Sequence, residues 1–258
     1  MAVGGADAVA FLQGLVSNDI AGIRPEEARW AALLTPQGKW LADFFVTAAG
    51  DTLLLDCERA HAPMLARLLA RYRLRAKVTV EVRSAAFSVH AAWAGSPPPA
   101  GLCARDPRHP DAGWRILLPA GTVGEGAEAY DRHRLSLGLP DGSRDLDAEK
   151  SVLLEAGFDE LHGVSWTKGC YMGQELTART KYRGLLKKRL VPVSVAGPLP
   201  PRGAPILRDG AEVGEMRSGR DGLGLALLRI EAARAPSLAC ADAVLTPRIP
   251  DWMRLPDG

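Results

Sequence analysis

The sequence predicts an α+β fold with a largely antiparallel sheet, followed by a small all-β barrel. In residues 1–93 the segments follow the order helix, β, β, β, helix, β, β, and such mixing without strict alternation favours α+β over a Rossmann fold. After about residue 187, short apolar runs are broken by frequent Gly and Pro, which is typical of a barrel. We therefore predict an α+β region of residues 1–187, which could hold two intertwined subdomains, and a barrel domain of residues 188–258.

The first elements follow from apolar periodicity. Residues 6–16 ("ADAVAFLQGLV") place apolar side chains on one helical face, with Asp7 near the start. "ARWAALLT" and "WLADFFVTA" are joined by "PQGK" and predict a β-hairpin, followed by the strand "TLLLDCE". Residues 60–72 predict a helix with Pro63 in its first turn. "AKVTVEVR" and "FSVHAAW" predict two further strands.

A weaker block precedes the barrel. "GSPPPAG" (95–101) predicts a loop, "WRILLP" a strand, and "GEGAEAYDRHRLSLGL" a helix that ends at Gly138. "GQELTARTKYRG" predicts a helix from near Gly173 to Gly184. Four segments then predict the strands of the barrel: "KRLVPVSV", "APILRDGAEVGEMRS", "GLGLALLRI" and "DAVLTPRIP".

Composition excludes several classes of protein. The 258 residues carry a net charge of only +2, which argues against direct nucleic-acid binding. Four scattered cysteines and five unclustered histidines predict neither a disulfide framework nor a preformed zinc site. The first residues lack the features of a signal or transit peptide, and no apolar run reaches membrane-spanning length. We therefore expect a bacterial cytoplasmic protein without a membrane partner.

The stretch "TKGCYMGQELTART" (167–180) holds the strongest candidate, Cys170. It lies about three residues ahead of a predicted helix, whose N-terminal N–H groups favour a thiolate. Lys168 could add positive charge, and Gly169 and Gly173 allow tight bends on either side. The alternative is a half-buried cysteine at a helix cap.

Three other features leave alternatives open. Asp43 is a charge on an otherwise apolar strand face, so it is either a site residue or one end of a core hydrogen bond. "TKYRGLLKKR" (180–189) is rich in basic residues and could bind carboxylates or phosphate, or form a solvated face. Glu155 could bind a guanidine-like or aminopyrimidine edge, or be an ordinary surface residue. "GLGLA" (222–226) lacks the third glycine and the helix of a dinucleotide fingerprint.

The stretch from Lys168 onwards resembles a known family. "KGCYMGQELTART" and "YRGLLKKRLVPV" are similar to the signature of the YgfZ-type folate-binding, iron–sulfur assembly family, a relative of the glycine-cleavage T-protein. Its pattern K-G-C-[YF]-x-G-Q-E is matched at every fixed position, the last two by Gln174 and Glu175. "FLQGLVSNDI", "LLTPQGKWLADFFV" and "RYRLRAKVTVEV" also resemble that family, in the same order. Its members usually carry an extra strand before the first of these, so we expect a short N-terminus or a misassigned start.

The resemblance implies a T-protein-like fold with ferredoxin-like elements around a folate pocket, and tetrahydrofolate as the cofactor. It implies an accessory role in assembling, maturing or repairing iron–sulfur enzymes, especially [4Fe–4S] ones and including radical enzymes that modify tRNA. Partners would be such enzymes or assembly proteins. The signature cysteine would be the residue on which function depends most, and a possible transient cluster ligand.

Residue roles follow as expectations from the resemblance. Cys170 would react, with Lys168 as its electrostatic partner. Glu155 would bind the pterin edge, and Trp166 and Tyr171 would wall the ring. Arg183 or Lys187 would bind the glutamate tail, an expectation that comes from their charge alone. The remaining residues expected at the folate site are Asp43, Gly169, Gly173, Gln174 and Glu175.

Two other functions compete. One is a folate-dependent one-carbon transferase, of aminomethyltransferase or demethylase type. The T-protein has an acidic pair where this chain reads Ala42-Asp43, which argues against aminomethyl transfer. The other is a scaffold that has lost folate. Whether the protein turns over a substrate is left open by the sequence.

Overall fold

The structure is a computed structural model, and it describes residues 1–93, 95, 101–124 and 126–255. The chain divides into two compact units. The first holds Met1–Glu125 and His162–Gln174, and the second holds Gly126–Leu161 and Glu175–Gly258. The boundary that we place at residue 187 stays a prediction. Most of the loop predicted at 95–101, and the last three residues of the barrel domain, lie outside the described residues.

In its described residues, the first unit contains two antiparallel sheets and two α-helices. Its elements in chain order are β1 (Ala2–Gly4), α1 (Ala8–Gln13), β2 (Ala28–Leu34), β3 (Trp40–Ala49), β4 (Thr52–Cys57), α2 (Ala62–Tyr72), β5 (Thr79–Glu81), β6 (Phe87–Ala92), β7 (Leu102–Arg105) and β8 (Trp114–Pro119). The larger sheet has the order β2-β3-β4-β1-β5, and the smaller one has the order β6-β8-β7. Neighbouring strands are antiparallel throughout both sheets.

The core of the first unit lies between one face of the larger sheet and its two helices. Leu12 of α1 and Leu65 of α2 are fully buried in one cluster with Leu33, Phe44 and other sheet residues. α2 buries Ala62, Leu65 and Leu69, a spacing of three and four residues that puts them on one helical face. This apolar stripe explains why the segment forms a helix, and Pro63 is accepted because it lies in the first turn.

The second unit is built around a closed six-stranded barrel. Its elements are α3 (Ala127–Leu137), α4 (Gln174–Tyr182), which begins at the last residue of the first unit, β9 (Lys188–Ala196), β10 (Pro205–Arg208), β11 (Ala211–Arg220), β12 (Leu223–Arg229), β13 (Leu238–Cys240) and β14 (Ala243–Pro247). The order around the barrel is β10-β11-β12-β9-β14-β13. Val191, Ile206 and Leu245 are fully buried in its core.

A buried polar network joins α3 to β11. The guanidinium of Arg134 is fully buried and donates to Asp131 at 2.8 Å, Asp145 at 2.6 Å and Ser218 at 2.8 Å. Asp131 also accepts from Arg144 at 2.7 Å and Arg220 at 2.9 Å. Its carboxylate is therefore surrounded by three guanidinium groups in a site where its side chain is only 4% exposed.

The α+β class and the C-terminal barrel are confirmed, as are the first hairpin, α2 and the end of α3 at Gly138. Three strands were not predicted: β1, β7 and β13. Each has only three or four residues, too few to show an alternating pattern. Among the described residues, no helix combines the length and the hydropathy that crossing a membrane would need.

Candidate functional site

The candidate site is the cysteine loop, which we define as residues 162–173 of the first unit. The loop has no helix or strand of its own. Gly169 and Gly173 adopt φ values of +94° and +80°, a conformation that disfavours any side chain. A Cβ on Gly173 would lie 2.6 Å from the carbonyl oxygen of Thr35. The loop therefore approaches the β2–β3 turn at a distance that only glycine allows.

A second segment, the anchor segment of residues 14–18, holds this loop from about 150 residues away in the chain. Its backbone and side chains form hydrogen bonds with both ends of the loop. These bonds are Met172 N to Gly14 O (3.2 Å), Ser165 N to Ser17 O (3.0 Å), Ser17 Oγ to Gly163 O (2.6 Å) and Asn18 Nδ2 to His162 O (2.7 Å). The loop is thus fixed by tertiary contacts rather than by secondary structure.

Lys168 joins the loop to the same segment. Its ammonium donates to the carbonyl oxygens of Val16 at 2.7 Å and Asn18 at 2.6 Å, and lies 5.4 Å from the centre of the Tyr171 ring. Burial lowers the pKa of Lys168 to about 8, and the nearby carboxylate of Asp19 opposes this shift. Two donors of the ammonium are therefore committed to backbone carbonyls. The expected electrostatic action of Lys168 on Cys170 stays a prediction.

Cys170 is exposed, and α4 begins four residues later at Gln174. The other three cysteines, all in the described residues, are partly or fully buried. Burial raises the pKa of the thiols of Cys57, Cys103 and Cys240. Cys170 is thus the most accessible of the four thiols.

Asp43 accepts hydrogen bonds from two buried indoles, Trp30 Nε1 at 2.8 Å and Trp40 Nε1 at 3.1 Å. These contacts explain how a carboxylate is accommodated on an apolar strand. Of the two interpretations left open by the sequence, the core hydrogen bond is what the structure shows. A further role for Asp43 at a ligand site stays a prediction.

The other candidates divide between the two units. Trp166, half-buried, and Tyr171, only 5% exposed, lie in the cysteine loop of the first unit, and the side chain of Gln174 accepts from Tyr171 N at 3.0 Å. The second unit holds the rest. Glu155 lies in the 3₁₀ helix Leu153–Ala156, Glu175 forms an exposed pair with Arg179 at 2.8 Å, and Arg183 and Lys187 are exposed. Their folate roles stay predictions.

Sequence reasoning missed Ser17 and Asn18, both buried. Neither carries chemistry by itself, and their partners lie far away in the chain. A signal was present in the composition, because Asn18 is the only asparagine among the 258 residues. Among the residues that the structure describes, no group of three or more His, Cys, Asp or Glu side chains is placed to hold a metal ion.

Comparison with known proteins identifies the family. Residues 187–255 match the family model described as CAF17, C-terminal beta-barrel domain. The chain is 35% identical to the mitochondrial iron–sulfur cluster assembly factor IBA57 of Homo sapiens, over 97% of this chain and 82% of that protein. The chain belongs to the IBA57 family of iron–sulfur cluster assembly factors. The IBA57 protein of Mus musculus is 34% identical over the same shares.

Solved structures show the same architecture. The glycine cleavage system aminomethyltransferase T from Bartonella henselae superposes with a TM-score of 0.73 over 98% of this chain and 83% of that one, at 16% identity. The T-protein-like fold is therefore confirmed. The prediction of a bacterial cytoplasmic protein is contradicted, because these IBA57 relatives are mitochondrial. That prediction depended on the first residues of the sequence, which do not determine location.

Proposed function

We propose that this IBA57-family protein acts in iron–sulfur cluster assembly through Cys170, and that it binds tetrahydrofolate. The observation that carries the proposal is an exposed cysteine on a loop that six long-range hydrogen bonds of 2.6–3.2 Å hold in place. Thiolates are the protein ligands that iron–sulfur clusters prefer. A rigidly presented and accessible thiol suits contact with a cluster better than a buried one does.

A single cysteine supplies one ligand, and a [4Fe–4S] cluster has four irons to ligate. The cluster is therefore cargo, and the remaining ligands come from a partner that carries or receives it. We expect such partners to be iron–sulfur enzymes or assembly proteins. The K-G-C-Y-x-G-Q-E match supports the narrower proposal of YgfZ-type service to [4Fe–4S] enzymes, including radical enzymes that modify tRNA.

The donor set of the first unit fits a folate. A pterin presents an aminopyrimidine edge, whose N–H groups can donate hydrogen bonds to a carboxylate. Asp43 is half-buried, and its carboxylate is oriented by two indole donors. Trp166 is a half-buried aromatic residue in the cysteine loop that suits stacking. Asp43 and Trp166 would hold the pterin, and the bound folate would supply one-carbon chemistry.

Two assays test the two parts of this proposal separately. Reconstitution of an apo-[4Fe–4S] enzyme from ferrous iron and sulfide should be stimulated by the protein and lose that stimulation in Cys170→Ala. The variant Cys103→Ala, which removes a half-buried thiol, is the matched control and should retain it. Equal stimulation by the wild type and Cys170→Ala would remove Cys170 from the function.

Folate binding is measured by anaerobic titration with tetrahydrofolate, followed by heat release. We expect binding by the wild type and Cys170→Ala alike, and weaker binding by Asp43→Asn and Trp166→Ala. No binding by any of them excludes folate and leaves a scaffold. The competing one-carbon transferase requires methylenetetrahydrofolate to form from an aminomethyl-lipoyl carrier or from methylamine, which we do not expect.

A further inference from the structure

Side chains of the anchor segment donate hydrogen bonds to backbone carbonyl oxygens of the cysteine loop and of strand β2. The Asn18 side-chain amide donates to the carbonyl oxygens of His162 at 2.7 Å and Trp30 at 2.8 Å. Its own oxygen accepts from Asp19 N at 2.8 Å. The amide is thus oriented on three sides, and it ties the start of the loop to the backbone of β2. An asparagine is suited to this position because one planar group supplies two donors and an acceptor.

Ser17 repeats this arrangement one residue earlier. Its hydroxyl donates to Gly163 O at 2.6 Å and accepts from Ala32 N at 2.9 Å, and the side chain is fully buried. Both residues therefore connect the loop to β2. Loss of either side chain leaves buried carbonyl or amide groups without partners, at the cost of an unmade hydrogen bond.

Lys168 closes the other side of the same contact. Lys168 lies two positions before Cys170 in the chain. Its ammonium donates hydrogen bonds to the carbonyl oxygens of Val16 and Asn18. Two charge-assisted bonds at 2.6–2.7 Å are strong for a half-buried cation. These bonds commit two of the three N–H donors of the ammonium to the backbone of the anchor segment.

We propose that Ser17, Asn18 and Lys168 are positioning residues, and that together they lock the cysteine loop in the arrangement that presents Cys170. Lys168 acts through backbone carbonyls rather than by setting the charge of the thiol. This inference depends on the proposed function in one respect, namely that Cys170 is the reacting group. The lock itself can be tested without folate, a cluster or a partner.

The test compares four variants of the full chain. Asn18→Asp keeps the side-chain volume but replaces both donors by an acceptor. Lys168→Met removes the donors, whereas Lys168→Arg retains donors and charge. Lys77→Met is the matched control, because Lys77 is an exposed lysine of the same unit. The readouts are amide hydrogen exchange in residues 163–172 and the pH dependence of Cys170 alkylation by iodoacetamide, resolved by mass spectrometry.

A lock predicts that exchange in residues 163–172 accelerates about tenfold to a hundredfold in Asn18→Asp and Lys168→Met, as expected for lost buried hydrogen bonds. Lys168→Arg should restore most of the protection, and Lys77→Met should change nothing. The pH midpoint of Cys170 alkylation should be the same in all variants. If Asn18→Asp does not fold, the same exchange rates are compared between Lys168→Met, which changes a half-buried residue, and the control Lys77→Met.

The opposite pattern overturns the inference. An alkylation midpoint that rises in Lys168→Met, with unchanged amide protection, would show that the ammonium acts on the thiol by charge. Unchanged protection in both Asn18→Asp and Lys168→Met would show that there is no lock. The reconstitution assay then separates the two proposals. A lock without stimulation by the wild type leaves the inference standing and removes the proposed function.

Discussion

Substitution of Gly173 by alanine should destabilise the first unit more than the same change at Gly169. Both glycines have positive φ, +80° and +94°, so both alanines carry backbone strain of roughly 1–2 kcal/mol. Only at Gly173 does the new methyl group meet other atoms, 2.6 Å from Thr35 O and 2.9 Å from Leu34 Cβ. Nothing lies within 4 Å at Gly169. Overpacking adds roughly 1–3 kcal/mol, so we expect losses of about 1–2 and about 2–5 kcal/mol.

The assay must report on the first unit alone, because a chain with two compact units need not unfold in one step. Hydrogen exchange of peptides from β2 and β3 gives the free energy of opening of that sheet. Trp30 and Trp40 fluorescence in urea provides a second readout, with the other tryptophans replaced. Equal losses in the two variants would refute the close approach between the loop and the hairpin. No loss in either would refute the backbone geometry as well.

Three further predictions concern charge. Burial lowers the pKa of Lys168 to about 8, so its competitive acetylation, followed by mass spectrometry, should titrate near pH 8; a midpoint near 10, as for a free lysine, contradicts this. Burial raises the pKa of Asp131, but hydrogen bonds from Arg144, Arg220 and Arg134 outweigh it and lower the pKa to about 2. The resulting stability of about 2 kcal/mol is present above pH 4 and lost as the pH falls towards 2; thermal melts of Asp131→Asn should lack this loss, and a parallel acid slope argues against it. Arg183→Ala should weaken binding of polyglutamylated tetrahydrofolate more than of the monoglutamate in calorimetric titrations, and equal weakening removes Arg183 from the tail.

The sequence predicted those helices and strands whose apolar pattern extends over enough residues to be recognised. The hairpin is indicated by two apolar runs on either side of "PQGK", and α2 is indicated by its apolar residues at spacings of three and four. Strand β13 has no such pattern, because "LAC" is three residues whose pairing depends on β10 and β14. Its assignment requires knowledge of the barrel as a whole.

The candidate site was predictable in its chemistry but not in its support. Cys170 and the two loop glycines follow from residue type and spacing. The contact of Asn18 with His162 spans 144 residues of chain, and the contacts of Lys168 span 150 or more. No local pattern encodes such pairings, so the sequence could not predict the carbonyl contacts of Lys168.

Strand β1 pairs with β4 on one side and β5 on the other, so three residues join the meander β2-β3-β4 to the edge of the larger sheet. On a ribosome, Ala2–Gly4 emerges before both of its neighbours, which follow about 50 and 77 residues later. The sheet can therefore be completed only after much of the first unit has been synthesised, and contacts so distant in sequence slow folding. Until β5 has been synthesised, β1 is an open edge of the sheet, where a chaperone or a second nascent chain could pair.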